Sequence, residues 1–160
     1  MTVTPTDLLR QHWDGSLPVD VITIAEKMGI KVTGEFGMTD SASGCIERHP
    51  DGSFEITYDI TEAQVRQRFT IAHEIGHYAL GHLNEQHRCF RDHPSNFMSN
   101  AQSAQERQAN AFAAELLMPQ SIVKYAIQSK GVHKVADLAN VFNVSQAAMS
   151  YRLKNIGITR

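Results

Sequence analysis

The sequence predicts an α+β fold dominated by helices, with one small antiparallel sheet and a C-terminal segment of three short helices. Three observations carry this. Residues 61–81 and 99–117 keep apolar side chains at helical spacing over long runs. One stretch, 44–58, alternates polar and apolar residues around Pro50-Asp51-Gly52, the signature of strands joined by a turn. Beyond Pro119 the pattern breaks into short amphipathic pieces at 121–128, 134–142 and 145–155.

In chain order, residues 7–13 form a short helix stopped by Asp14-Gly15-Ser16. Pro18 then opens a second helix in which Val21, Ile24, Ala25 and Met28 share a face, with Gly29 suited to the position just past its end. Ile30-Lys31-Val32 reads as a short strand. In the alternating stretch, Phe54, Ile56 and Tyr58 point one way and Ser53, Glu55 and Thr57 the other, as in a half-buried strand. The strand at 53–58 is a candidate to pair with an extended peptide along its edge. The long helix begins near Thr61-Glu62. Residues 82–100 have no clean period and include Pro94, which predicts a loop. The helix from Ser99 buries Ala109, Phe112, Ala113, Leu116 and Leu117 and ends at Pro119.

With 160 residues, 42% of them apolar, the chain can bury a core without staples. The expected organisation is a main domain over 1–120 with a small helical segment, 121–160, packed on or appended to it. No apolar run approaches the ~20 residues of a membrane span. The opening residues lack a basic stretch followed by an apolar one, and Cys45 and Cys89 are too few for a disulfide framework. A cytoplasmic protein is expected. The net charge of −2 is unevenly spread: nine Lys/Arg against sixteen Asp/Glu in 1–120 give −7, and six against one in 121–160 give +5. A basic tail can touch nucleic acid, but without a dense Lys/Arg run a solvated face is the simpler reading.

Within the long helix stands His73-Glu74-Ile75-Gly76-His77. Residues four apart on a helix lie one above the other, so His73 and His77 can share one metal ion. Glu74 is placed to reach a water on that metal and take its proton as general base; zinc lowers such a water's pKa toward ~7. Phe69, Ile71, Ala72, Ile75, Ala79 and Leu80 surround the pair with apolar side chains, and burying these polar groups together without a purpose would be costly. The spacing is the HExxH arrangement of zinc hydrolases.

The third ligand decides the type of site. A third histidine ten residues after the first is absent, because that position is Leu83; His82 falls one residue short, about 100° away on a continuing helix. His87, Cys89, Asp92 and His93 match no zinc spacing and read as polar loop residues. Glu106, on the core-facing stripe of the next helix, is the better candidate, with Asn110 one turn later to hydrogen-bond a histidine ligand. Glu115, nine residues on, faces the opposite way, toward solvent. Two histidines, a glutamate and an open water position make a catalytic zinc site, with one Zn2+ per chain. Tyr58, Tyr78 and His82 are the candidates for stabilising an oxyanion.

RQRFTIAHEIGHYALGH (66–82), ERQANAFAAELLMP (106–119) and PVDVITIAEKMGIKV (18–32) together resemble the ImmA/IrrE family of bacterial zinc metallo-endopeptidases. HExxH alone would not single out this family; its coupling to the second motif does. The resemblance implies a zincin-like protease domain of the glutamate type. It assigns His73, His77 and Glu106 to zinc and Glu74 to the base. It also implies a protein substrate, a helix-turn-helix transcriptional repressor.

The tail resembles a helix-turn-helix unit itself. Leu138, Ala139 and Phe142 pack its first helix, Asn143-Val144-Ser145 turn and cap, and Ala148, Met149, Tyr151 and Leu153 pack the second. Gln146, Ser150, Arg152, Lys154 and Asn155 are the side chains that DNA reading through 134–155 would use. The preferred reading is instead a small helical appendage that packs on the main domain or recognises the substrate. The sequence thus points to a zinc endopeptidase, the rival being a zincin-fold module that binds protein or DNA without cutting.

Overall fold

The computed structural model describes residues 3–38, 43–83, 89–92 and 104–158. The elements run α1 (Pro5–His12), α2 (Val21–Lys27), β1 (Ile30–Glu35), β2 (Gly44–Arg48), β3 (Phe54–Asp59), α3 (Gln64–Ala79), β4 (Cys89–Asp92), α4 (Ala104–Leu117), α5 (Gln120–Gln128), α6 (Val135–Phe142) and α7 (Gln146–Asn155). This is the α+β, helix-rich architecture the patterning predicts.

Local chemistry explains the boundaries. Thr4 and Asp7 form a reciprocal capping box at the start of α1, with Pro5 at its first position. The Asp20 side chain accepts from Thr23 N at 3.0 Å and caps α2. Gly29 takes φ +85° just past that helix, a conformation that costs glycine little. At the other end of the chain, Asn143 stops α6 in the left-handed region and Ser145 caps α7 through Ala148 N.

The sheet has four strands in the order β1-β3-β2-β4. β2 is antiparallel to β3, and β4 is antiparallel to β2, but β1 runs parallel to β3 with Ile30 beside Phe54. The sheet is therefore mixed. The chain visits β2 between β1 and β3, so β1 and β3 never share a hairpin. Two corrections follow. β3 is bonded on both sides, so the strand at 53–58 has no free edge for an extended peptide. Part of the stretch expected as loop, Cys89–Asp92, forms the strand β4. His87 and His93, and the expected first turn at 99–103, lie outside the described residues.

One face of the sheet packs on α3. Ile46 and Ile56 are fully buried, and the Phe54 ring meets Tyr78 edge-on at 4.8 Å. α3 is buried without interruption from Thr70 to His77, because the sheet covers one side and α4 the other. Close approach on both sides depends on glycine. A Cβ on Gly44 would lie 2.2 Å from Thr70 Cγ2, and one on Gly76 would lie 3.1–3.3 Å from Phe112 Cβ and the Ala109 backbone.

The tail helices join the same apolar cluster as the front of the chain: Val123, Leu138, Phe142, Met149 and Leu153 belong with Ile24, Ile71 and Leu116. Two arginines tie the parts together. Arg68 of α3 donates to the carbonyls of Val19, Phe142 and Asn143 at 2.7–3.2 Å. Arg152 of α7 is buried and donates from Nε to Met118 O at 3.0 Å. The sequence pattern offers Arg152 to DNA and Tyr151 to the core. The structure reverses them, with Tyr151 53% exposed.

Candidate metal centre

α3 carries His73 and His77 one turn apart, both fully buried, and α4 brings Glu106 opposite them. The Nε2 atoms of the two histidines are 3.1 Å apart. Glu106 Oε2 lies 3.1 Å from His73 Nε2, and Oε1 lies 3.1 Å from His77 Nε2. Donor atoms of three residues thus lie together, and these are the three residues named from sequence. α4 reaches them because Gly76, inside the HExxH segment, presents no side chain to Ala109 and Phe112.

The set fits a small divalent cation. Donors on a tetrahedral zinc at 2.0–2.2 Å stand about 3.3–3.6 Å from one another. The observed 3.1 Å separations are slightly shorter, so a small outward shift of the side chains would admit the ion. Two imidazoles and one carboxylate are also the donor chemistry of an open catalytic zinc site.

Glu74 is fully buried on the same turn as His73. Its Oε2 stands 3.6 Å from where a Cβ on Gly44 would be, so β2 passes directly beside the carboxylate. Asn110 lies one turn beyond Glu106, half-buried, and Glu115 is exposed as the helical arithmetic expects.

His82 occupies a place the sequence did not foresee. It is buried, and its Nδ1 lies 2.8 Å from His77 Nδ1 while its Nε2 lies 2.9 Å from Gln108 Oε1. On a continuing helix residue 82 would turn away from His77, but α3 stops at Ala79. Gly81 adopts φ +73°, Gly81 N donates to Tyr78 O, and His82 N donates to His77 O. This pair of bonds is a Schellman turn, which folds the chain back over the helix end. The signal was present in the sequence as Leu80-Gly81, a helix-stop pattern. Burial lowers the His82 pKa from its usual value, and the bond to Gln108 acts in the opposite sense.

The oxyanion candidates are dispersed. Tyr58 lies across Gly34 of β1, with its Oη 3.3 Å from the site of a Cβ there. Tyr78 packs on Phe54, and His82 has both ring nitrogens engaged.

Comparison with known proteins identifies the family. The profile of the peptidase family described as the IrrE N-terminal-like domain matches residues 25–154, from within α2 almost to the end of α7. The "Metallopeptidase ImmA" of Bacillus subtilis (strain 168) is 28% identical over 116 residues, 72% of this chain. The chain spans just under two thirds, 65%, of that relative's length. A solved structure titled "Mycobacterium tuberculosis transcriptional regulator" superposes with a TM-score of 0.57 at 21% identity, over 84% of this chain and 40% of that one. That likeness is one of fold.

Proposed function

The chain belongs to the IrrE N-terminal-like family of peptidases, and on that premise we propose that it is a zinc-dependent endopeptidase acting on a regulatory protein. The observation that carries the reading is the convergence of His73, His77 and Glu106 beside the fully buried Glu74. His73, His77 and Glu106 would hold the ion, and Asn110 would steady a histidine ligand. Zinc bound there would supply a Lewis acid that acidifies water and polarises a peptide carbonyl. Glu74 accepts the proton from water and returns it to the departing amine. Its burial against Gly44 holds the carboxylate in one position and keeps bulk water from solvating it.

Glu74 is also what favours cleavage over a binding-only module, because holding a metal needs the other three residues and not this carboxylate. The ImmA/IrrE resemblance points to a helix-turn-helix repressor as substrate, in the cytoplasm. Among the described residues no helix is long and apolar enough to cross a membrane. DNA contact through 134–155 is the lesser reading, since Arg152 is committed to Met118 O.

The test pairs metal analysis with cleavage. The purified protein should hold about one zinc per chain and cut the repressor encoded beside its gene, with chelator abolishing the cut. Glu74→Gln should keep the zinc while cleavage falls by ~10²-fold or more. Glu106→Ala should lose the metal. An unchanged rate in Glu74→Gln would eliminate this mechanism, and a wild type that binds the repressor without cutting it would establish the binding module.

A further inference from the structure

Buried His82 and its partner Gln108, at an exposed position of α4, lie outside the donor set, and their hydrogen bonds have a fixed direction. Gln108 Oε1 is a carbonyl oxygen and only accepts, so His82 carries its proton on Nε2. A neutral imidazole protonated on Nε2 has a lone pair on Nδ1. The 2.8 Å contact between His82 Nδ1 and His77 Nδ1 is then a bond donated by His77. A His77 protonated on Nδ1 leaves its Nε2 bare, and that atom lies 3.1 Å from both His73 Nε2 and Glu106 Oε1.

We propose that His82, held in one tautomer by Gln108, is a positioning residue that sets the tautomer and ring orientation of His77 as a metal ligand. Carboxylates and backbone carbonyls commonly occupy this place behind a ligating histidine; here a second histidine fills it. The arrangement is specific to the helix end. A continuing helix would carry residue 82 to another face, and only the turn at Gly81 returns it to His77. The relay also crosses elements, because Gln108 sits two residues after Glu106 on α4. The packing of α4 on α3 that delivers Glu106 therefore delivers the lock on His77 too. The proposal rests on the zinc reading above.

The experiment measures zinc affinity by competition with a chromophoric chelator. It also follows the exchangeable ring N–H of His77 by proton NMR of the cobalt(II)-substituted protein. His82→Leu should weaken zinc binding by ~10–100-fold, the range for such outer partners, and broaden the His77 N–H signal through solvent exchange. His82→Asn, whose amide oxygen can accept from His77, should recover part of both. Gln108→Leu, at an exposed position where folding is not at stake, should shift affinity in the same direction by less. Gln108→Glu can only accept and should preserve binding. Wild-type affinity and a slowly exchanging His77 N–H in both leucine variants would overturn the proposal. A wild-type protein that took up no metal would overturn the zinc reading, and this one with it.

Discussion

Asp59 shows how one carboxylate can organise the ends of several segments. It ends β3 and accepts from the backbone N–H groups of Gly37, Met38 and Thr61 and from the Thr61 hydroxyl. Those bonds favour the charged form, and the Thr61 hydroxyl contributes most, lowering the pKa from 3.8 to about 2. A carboxylate with a depressed folded-state pKa stabilises the fold above its unfolded value, and that stabilisation is lost as pH falls through the folded value. The metal-free protein should therefore lose stability as pH drops from about 4 to about 2, in part through this group. Asp59→Asn removes that part. The denaturation midpoints of wild type and variant should differ more at pH 5 than at pH 3, and a gap that stayed constant would show that Asp59 does not contribute. Arg152 teaches the converse lesson about single residues. From sequence it was one more cation on a basic tail. Its burial and its bond to Met118 O depend on where α4 ends in space, which no local pattern around residue 152 encodes.

At the scale of elements, β2 meets α3 at a point where no side chain fits. A Cβ on Gly44 would stand 2.2 Å from Thr70 Cγ2, and Thr70 is β-branched, buried and stiff. Gly44→Ala should destabilise the protein by roughly 1–3 kcal/mol, the usual cost of overpacking. It should also disturb Glu74, one helical turn from Thr70. Adding Thr70→Ser removes the colliding methyl and should restore much of the loss, a coupling that a double-mutant cycle on thermal stability would read. Additive effects would place the strain elsewhere. The same junction marks how far the sequence could be read. The helices were legible because their apolar stripes repeat; the stripe through Ala109, Phe112 and Leu116 also oriented Glu106, which the structure puts beside His73 and His77. The β2–β3 hairpin was legible from its turn. The parallel pairing of β1 with β3 was not, because the chain visits β2 between them and no turn signal joins the two strands. β4 was not legible either: four residues are too few to show a period. The place of His82 was not legible, because the turn at Gly81 sets it and helical periodicity does not.

Across the whole molecule, the tail and the front of the chain share one apolar cluster, and this yields a cooperative expectation. Phe142 is fully buried on α6, far in sequence from the metal ligands. Phe142→Ala should cost about 3–5 kcal/mol. Unfolding followed by circular dichroism and by release of zinc should move together to lower temperature, as a single transition. Two separated transitions, with zinc retained through the first, would show that 121–160 is an appendage that melts alone. Arg68 belongs to the same account. Its guanidinium reaches Val19 ahead of α2 and both Phe142 and Asn143 at the end of α6, so one side chain spans 124 positions of the chain by its outermost acceptors, Val19 and Asn143. For genetic recombination this makes residue 120 a poor crossover point. A hybrid joining this front half to a foreign C-terminal partner would inherit a guanidinium with most of its acceptors missing and a hydrophobic surface shaped for Leu138, Phe142, Met149 and Leu153. The two halves can diversify on their outer faces, but along this seam they must change in step.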